Sequence, residues 1–301
     1  MNNKTKIKKS SDKVAFNIIS YAALIFVALV CFLPFLMVVS GSFTSEQYIE
    51  KHGFGLLPKD FSTVAYSMAL KDPIAILRAY GVTISVTVIG TVIGLFITAM
   101  TAYVLQRKDF EWRNKFAFYF FFTTLFSGGL VPWYILMVKY LHMKNNYLAL
   151  VIPPMLSVFN MLVMKSFMSS IPGAISESAK IDGAGDFTIF VKLILPLAKP
   201  ALATVGLFTA LGYWNDWYNS MLFMQNEKLY SLQYFLYKIV NNIEAYKQIV
   251  SQHASVDVNI ELPSESFKMA LTVIVTGPII LLYPFVQRYF VQGITIGAVK
   301  G

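Results

Sequence analysis

Apolar residues in this chain are gathered into long blocks that contain no charged side chain. These blocks run over 14–45, 79–106, 116–138, 145–164, 200–215 and 269–287. A helix needs about 20 mostly apolar residues to cross a bilayer. The blocks lack the alternation of a membrane barrel, so a helix is the spanning structure that satisfies their backbone. We therefore predict six transmembrane helices, at about 16–40, 80–105, 116–138, 146–165, 200–224 and 269–288.

The composition agrees with a membrane protein. Hydrophobic residues make up 56% of the chain and charged residues 14%, against about 25% charged in soluble domains. The first block is too long for a signal peptide and lacks a small-residue cleavage site, so we expect a retained helix. A single cysteine, Cys31, and three dispersed histidines predict neither an internal disulfide nor a metal site.

The distribution of charge predicts the orientation. Six spans place both termini on one side, and with that side inside, the inner segments carry the entire formal net charge of +9. Positive residues favour the cytoplasmic side of a membrane. We therefore expect a basic cytoplasmic tail over 1–15 and a single multi-pass domain over 16–301 in the cell membrane. The lysines of the tail lie directly before a span, which indicates contact with the lipid bilayer and not with nucleic acid.

The predicted inner loop over 165–199 carries a helix–turn–helix pattern. Ser170 can cap a first helix, and Gly183 and Gly185 end it, because glycine adopts the left-handed conformation of helix ends. Asp186 can cap a second helix, which Pro196 ends. The apolar positions of that second helix share one face, and they are Ile189, Phe190, Leu193 and Ile194.

The spacing in this loop resembles the EAA motif of ABC importer permeases, E-A-A-x3-G-x9-I-x-L-P. The motif positions are occupied in order by Glu177, Ser178, Ala179, Gly183, Leu193, Leu195 and Pro196. Ser178 and Leu193 depart from the motif. In that family the first helix docks in a cleft of a separate ATPase subunit, and the alternative is a connector that only lies on the membrane. The resemblance implies an ATPase-coupling set of Glu177, Ser178, Ala179, Asp182, Gly183, Ala184 and Pro196.

Three further segments extend the resemblance over most of the chain. The end of the chain, over 287–293 and 296–301, resembles the tail of the second permease of the maltose importer. That likeness implies an ATPase contact through Gly297, Lys300 and Gly301 within a tail over 289–301; a frayed end is the alternative. The segments 127–132 and 262–266 resemble a subgroup that imports polysaccharide-derived oligosaccharides in Gram-positive bacteria.

The resemblance as a whole implies a transmembrane subunit of an ATP-driven sugar importer in a bacterial cell membrane. Its partners would be a second homologous permease, two cytoplasmic ATPase subunits and an external sugar-binding protein. The chain has no G-x-x-x-x-G-K-[ST] sequence and no catalytic constellation. We therefore expect no enzyme activity and no cofactor in this chain, with ATP and Mg bound by the partner ATPase.

The alternative is a secondary transporter or channel that needs no ATPase. Coupled secondary transporters usually carry ionisable residues near the membrane midplane. Five of the six blocks carry none, and Asp216 is the only acid within a predicted span, near its outer end. A membrane-embedded enzyme is a more distant alternative.

A candidate substrate segment surrounds this acid, over 213–219. It combines flat aromatic side chains with amide and carboxylate groups, as sugar-binding sites do. On a continuous helix, Trp214, Trp217 and Tyr218 would share a face. The residues proposed to contact sugar are Trp214, Asn215, Asp216, Trp217 and Tyr218. An interfacial aromatic belt is the alternative.

Two outer loops and several glycine or proline pairs complete the predictions. The loops over 41–78 and 225–268 would meet the binding protein or serve as plain connectors. Kinks around a translocation path or close helix packing are predicted at Gly128-Gly129, Pro132, Pro153-Pro154 and Gly277-Pro278, and we favour hinges at Gly128-Gly129 and Gly277-Pro278.

Overall fold

The computed structural model describes residues 11–252 and 265–298, and within these ranges all regular elements are helices. One isolated antiparallel bridge joins Thr44 and Phe61. The predicted all-α fold is therefore confirmed for the described part of the chain. Residues 1–10, with most of the basic tail, lie outside the described residues.

Fifteen α-helices are described, in chain order. The first eight are α1 Ser11–Ser42, α2 Glu46–His52, α3 Val64–Ala69, α4 Pro73–Gln106, α5 Arg113–Leu125, α6 Leu130–Ile135, α7 Leu148–Val151 and α8 Val158–Met168. The others are α9 Ala174–Ile181, α10 Asp186–Ile189, α11 Leu195–Leu197, α12 Lys199–Trp214, α13 Tyr218–Phe223, α14 Leu232–Gln252 and α15 Glu265–Ala298. Two π-helical turns, Leu136–Tyr140 and Phe190–Ile194, continue α6 and α10, and a 3-10 turn covers Glu227–Leu229.

Two of the described helices are long and apolar enough to cross a membrane alone. They are Ala15–Ser42 and Pro73–Gln106. Two bent pairs also qualify if each is one span: Arg113–Leu125 with Leu130–Tyr140, bent by 112°, and Asp186–Leu197 with Lys199–Trp214, bent by 85°. The six-span topology and its orientation stay predictions.

The third, fourth and fifth predicted spans are each interrupted. The third breaks between α5 and α6, where Gly129 has φ +86°, so the Gly128-Gly129 kink is confirmed. The fourth breaks between α7 and α8, beside Pro153 and Pro154, and the fifth breaks between α12 and α13. Helix α15 continues through Gly277 and Pro278, so the helix is not broken at the hinge predicted there. The charge-free runs of sequence therefore predicted where the apolar segments lie, but they did not predict where the helices within those segments are interrupted.

The chain divides into two compact units, of which the first comprises Met1–Lys71 and Val250–Ile274. In this unit the segment after α1 is held by local contacts. The Phe43 ring stacks on Phe61 at 5.6 Å, and the hydroxyls of Ser42 and Tyr66 lie 2.9 Å apart. The Glu46 carboxylate accepts hydrogen bonds from the Glu265 and Ser266 amides at 2.8 and 2.9 Å. An acidic side chain at the start of α15 satisfies donors that a helix leaves unpaired.

The second unit comprises Asp72–Ile249 and Val275–Gly301. Small residues on α4 let its neighbours approach closely, as is common between membrane helices. A Cβ at Gly90 would lie 2.6 Å from ring carbons of Tyr213, and one at Gly94 would lie 2.7 Å from the Met155 carbonyl oxygen. The Tyr213 hydroxyl donates to the Val151 carbonyl at 2.6 Å. Helix α4 is therefore the central helix against which the interrupted helices α7, α8 and α12 pack.

Candidate functional site

The first helix of the loop between α8 and α12 begins later than the sequence predicts. Gly173 occupies the cap position of α9, and its carbonyl accepts from the Ser176 and Glu177 amides at 2.9 and 3.1 Å. The predicted cap at Ser170 is wrong. Its hydroxyl instead donates to the Phe167 carbonyl at 2.6 Å, because serine side chains readily bond to nearby backbone.

The turn after α9 confirms the predicted role of Gly183. This residue has φ +82°, and the Ala184 and Gly183 amides donate to the carbonyls of Ala179 and Lys180 at 2.9 and 3.0 Å. These two bonds form a Schellman motif, which places glycine at the left-handed position. A Cβ at Gly183 would meet no atom within 4 Å. The requirement for glycine here is therefore conformational and not steric.

Gly185 has a different role from the predicted one. Its backbone is extended, with φ −70° and ψ 154°, and it is the cap residue of α10. Asp186, predicted as the cap, lies in the first turn of α10 instead. Helix α10 therefore begins one residue earlier than predicted, and the Asp186 carboxylate forms ion pairs instead of capping the helix.

The second helix buries the face that its apolar pattern predicts. Ile189, Phe190 and Ile194 are at most 2% exposed, and the Phe190 ring stacks on Tyr103 of α4 at 5.3 Å. The helix continues through Pro196, and the direction changes by 85° between Leu197 and Lys199. The loop is thus packed firmly against α4 and does not lie free on the surface.

Four charged side chains fasten α9 and α10 to the end of α4. The Arg107 guanidinium contacts Asp109 and Asp186, with the shortest distances at 2.5 and 2.7 Å. The Lys180 ammonium lies 2.8 Å from Asp109 and 3.8 Å from Asp186. Hydrogen bonds from Arg107 and then Lys180 hold the pKa of Asp109 well below its ordinary value. Sequence reasoning missed this cluster because its members are distant along the chain.

The predicted coupling residues divide into an outward and an inward group. Ala179 and Ala184 are half-buried and pack against the core around Phe190. The exposed members are Glu177, Ser178, Asp182, Gly183 and Pro196. Two large apolar residues that the sequence reasoning did not single out are also exposed: Ile181 at 87% and Phe187 at 64%. The sequence could have indicated these two exposed residues, because they are large apolar side chains in an otherwise polar segment.

The candidate substrate segment is not one helix. Helix α12 ends at Trp214 and α13 begins at Tyr218, so the predicted shared face of Trp214, Trp217 and Tyr218 is wrong. Trp214 is 5% exposed and packs with Ala79, Leu232 and Val275. The helix ends here because the intervening polar side chains bond to nearby backbone instead of continuing the helical pattern.

Asn215 and Asp216 make those bonds. The Asn215 side-chain amide donates to the Leu211 carbonyl at 3.0 Å. The Asp216 carboxylate accepts from the Asn219 backbone amide at 3.1 Å and from its side-chain amide at 2.7 Å. Asp216 therefore caps the start of α13, as aspartate does at helix N-termini.

Three partly exposed aromatic residues, Trp217, Tyr218 and Tyr237, form what we call the aromatic surface. The Trp217 ring stacks on Tyr237 at 4.6 Å and meets Tyr218 edge-on at 5.7 Å. Their exposures are 37%, 41% and 41%. Tyr237 belongs to α14, which occupies a segment predicted only as a loop. The sequence signal for α14 was an apolar repeat at helical spacing: Leu232, Phe235, Leu236, Ile239, Val240 and Ile243.

The end of the chain is helical further than predicted. Helix α15 runs to Ala298, whereas the sequence placed the end of the last span near 288. Gly297 lies in the last turn of this helix. Lys300 and Gly301, together with the Leu262-Pro263 pair, lie outside the described residues.

The comparisons with known proteins agree with this geometry. Residues 94–296 match the family described as the binding-protein-dependent transport system inner membrane component. The chain belongs to this family. The matched region contains the loop between α8 and α12 and the aromatic surface, and the predicted likeness to ABC importer permeases is confirmed.

Two relatives from Bacillus subtilis strain 168 match almost the whole permease. The polygalacturonan/rhamnogalacturonan transport system permease protein YtcP is 37% identical over 286 residues, covering 95% of this chain and 98% of that protein. Protein LplC is 36% identical over 275 residues, covering 91% of each chain. The permease therefore spans essentially the full length of these relatives.

A solved structure has the same fold. It is the crystal structure of a bacterial ABC transporter involved in the import of the acidic polysaccharide alginate. The TM-score is 0.78 at 30% identity, over 95% of this chain and 100% of that chain. The permease thus shares the fold of a known ABC importer subunit over nearly its whole length.

Proposed function

We propose that this permease is one of two transmembrane subunits of an ATP-driven importer that moves an oligosaccharide into the cytoplasm. Its partners are a second homologous permease, two ATPase subunits and an external binding protein. The single observation that carries the proposal is the loop between α8 and α12. It presents an exposed helix, α9, that is fastened to α4 by ion pairs and by a buried apolar face.

This arrangement would allow a movement of the ATPase to be transmitted to the transmembrane helices. Two exposed apolar side chains, Ile181 and Phe187, each offer a partner apolar surface to bury. The ion pairs to Arg107 and Asp109 and the Phe190 contact with Tyr103 tie α9 and α10 to α4. Closure of the ATPase dimer would therefore move α4, and with it the packed helices α8 and α12, as one body.

The substrate class follows from the relatives. Both YtcP and the alginate importer carry polysaccharide names, and we extend that class to this permease. An oligosaccharide is too large and too polar to cross apolar helices unaided, so it requires a cavity between two permease subunits. The binding protein would deliver it from the side predicted to be external.

The test is uptake into proteoliposomes that contain the complete transporter. We expect oligosaccharide uptake with ATP inside, loaded binding protein outside and no ion gradient. Uptake that instead needs a proton gradient and ignores ATP would contradict the proposal and favour the secondary-transporter alternative. The capping bonds of Asp216 argue against a proton-coupling role for that acid.

We further propose that the aromatic surface contacts the incoming sugar. Flat, partly exposed rings suit the C–H surfaces of sugars. Asn215 precedes Trp217 by two residues and Gln233 precedes Tyr237 by one helical turn, and the Gln233 side-chain amide donates to the Asn215 side-chain carbonyl at 3.5 Å. Trp217→Ala should lower uptake at limiting substrate while assembly and basal ATP hydrolysis persist. Trp112→Ala is the matched control, because that tryptophan is 53% exposed in the connection between α4 and α5. Equal effects of the two changes would contradict a role in sugar contact.

A further inference from the structure

Two neighbouring residues in the first turn of α10, Asp186 and Phe187, join this helix to the end of α4. Asp186 does so by charge, because its carboxylate lies 2.7 Å from the Arg107 guanidinium. Phe187 does so through rings, since it meets Phe190 at a centroid distance of 6.4 Å and Phe190 stacks on Tyr103 at 5.3 Å. Both routes therefore begin in one turn of α10 and end at the last turn of α4, where Arg107 is the cap residue.

The ionic route depends on the planar shape of the Arg107 side chain. Its Nε and Nη2 atoms donate to the two carboxylate oxygens of Asp109 at 2.8 and 2.5 Å, and its Nη1 atom lies 2.7 Å from Asp186. Three nitrogens of one guanidinium therefore hold two carboxylates at once. A lysine keeps the positive charge but has a single nitrogen, so it cannot reproduce this arrangement.

The aromatic route leads from an exposed ring to a buried one. Interacting rings have centroids about 4.5–7 Å apart, and both contacts of this route fall in that range. Phe190 is 1% exposed and also meets Phe96 of α4 edge-on at 5.9 Å. Because packed interiors leave little free space, a displacement of Phe187 towards Phe190 carries α4 along with it.

The two routes also contact each other. The central carbon of the Arg107 guanidinium lies 5.7 Å from the centre of the Tyr103 ring, within the cation–π range of about 6 Å. Tyr103 is 4% exposed and the Arg107 side chain 18%, and shelter from water strengthens such a contact. The closed set of contacts, which we call the α10–α4 joint, consists of Asp186, Arg107, Tyr103, Phe190 and Phe187.

Ile181, the other large apolar residue exposed on this loop, differs from Phe187. It is the last residue of α9, and at 87% exposure its side chain makes little contact with the rest of the chain. Phe187 is exposed enough, at 64%, to meet a partner, and it also contacts the buried Phe190 ring. A partner that presses on both residues therefore moves a packed core only through Phe187.

From this geometry we infer that Phe187 and Arg107 are positioning residues, through which the first turn of α10 moves α4 when the ATPase dimer closes. Ile181 adds only to the affinity for the ATPase. These roles rest on the proposed function and divide it between two elements, with α9 for binding and α10 for transmission. Mutations can therefore separate the affinity for the ATPase from the coupling of hydrolysis to uptake.

The deciding measurement is the number of sugar molecules imported per ATP hydrolysed. It uses proteoliposomes with the fully assembled complex, ATP inside and loaded binding protein outside. We expect Phe187→Leu to lower this ratio about 2–10-fold, as the loss of one aromatic pair allows. Its dissociation constant for the purified ATPase should change by less than about threefold, because leucine keeps most of the apolar surface.

Two further variants separate the ring from the apolar surface. Phe187→Tyr should restore the ratio, since it keeps the ring and its hydroxyl can face solvent at this exposed position. Ile181→Ala should do the reverse of Phe187→Leu. It should raise the dissociation constant for the ATPase by about threefold or more, through lost apolar burial, and leave the ratio within about twofold of wild type.

Arg107→Lys tests the ionic route. It should lower the ratio, because lysine keeps the charge but not the three bonds. The matched control is Arg78→Lys, at an exposed arginine near the opposite end of α4, which should stay within about twofold of wild type. Because the two routes act in parallel, Arg107→Lys combined with Phe187→Leu should lower the ratio by more than the product of the single effects.

Three results would overturn these roles. An unchanged ratio in Phe187→Leu would show that the ring does not transmit movement. An equal loss of ratio in Ile181→Ala would show that any weakened ATPase contact uncouples the transporter. Equal ratios in Arg107→Lys and Arg78→Lys would remove the role of Arg107. If instead the wild-type complex imports no sugar with ATP, the proposed function itself fails, and the role of the α10–α4 joint with it.

Discussion

Gly183 offers a direct test of the link between the turn after α9 and ATPase binding. The change is Gly183→Thr, with Gly185→Thr as the control two residues away. Both glycines have open surroundings, since a Cβ at either meets no atom within 4 Å. They differ in backbone conformation, because Gly183 has φ +82° whereas Gly185 has φ −70°.

The expected magnitude follows from that difference. A residue with a Cβ in the left-handed region costs about 1–2 kcal/mol, and a β-branched residue is least tolerant of it. No steric clash adds to this figure because the space around the turn is open. A cost of 1–2 kcal/mol corresponds to a change of about 5–30-fold in an equilibrium. Threonine at Gly185 should cost little, because threonine and glycine are about equally good at helix caps.

The assay measures the affinity of the solubilised permease pair for the purified ATPase. We expect the dissociation constant to rise about 5–30-fold in Gly183→Thr, in proportion to the strain. Gly183→Asn should recover most of the affinity, because asparagine tolerates left-handed backbone. Gly185→Thr should behave as wild type, since its φ is ordinary.

Two results would refute this reasoning. Wild-type affinity in Gly183→Thr would show that the left-handed turn does not position α9 for the ATPase. Equal loss in Gly185→Thr would show that the loop is sensitive to any side chain, so that the backbone argument explains nothing. In the second case Gly183→Asn would also fail to recover the affinity.

Three further predictions concern packing, charge and the end of the chain. Gly90→Ala should lower stability by about 1–3 kcal/mol, because its Cβ would press on the Tyr213 ring; thermal unfolding checks this against Gly81→Ala, which should not destabilise the protein. The lowered pKa of Asp109 stabilises the fold above the unfolded-state pKa of about 3.9, and this contribution is lost as the pH falls below it. Because the Asp109 side chain is 51% exposed, Asp109→Asn should cost no more than about 1 kcal/mol near pH 7, and in pH-dependent unfolding the difference should shrink as the pH falls from about 4 through the lowered folded-state pKa. Truncation after Thr295 should leave membrane insertion intact and weaken the stimulation of ATP hydrolysis; wild-type stimulation would show that the terminal residues make no contact with the ATPase.

Local sequence was sufficient where a single segment decides its own structure. The apolar blocks located the long helices α1 and α4, because helix length and backbone satisfaction in lipid depend on a run of neighbouring residues. The Gly183 turn was equally predictable, since the left-handed position at a helix end strongly favours glycine. The buried face formed by Ile189, Phe190 and Ile194 was predicted from the helical spacing of these apolar residues alone.

Two local features were predicted wrongly from the sequence. The break after Trp214 and the capping role of Asp216 override a pattern that reads as continuous helix, because side-chain bonds to nearby backbone compete with helical bonds. Helix α14 was not predicted, because its apolar residues are interspersed with polar ones and the whole segment was assigned to a loop.

Contacts between distant segments could not be read from spacing. The ion pairs of Arg107 with Asp186, the stacking of Trp217 on Tyr237 and the bond between Asn160 and Thr209 each join separate elements. No local period encodes which helices become neighbours, because that choice is made by packing of the whole second unit around α4. The sequence by itself therefore determined the class of protein and the helix–turn–helix pattern of the loop between α8 and α12, whereas the tertiary structure decided which side chains of distant segments come together.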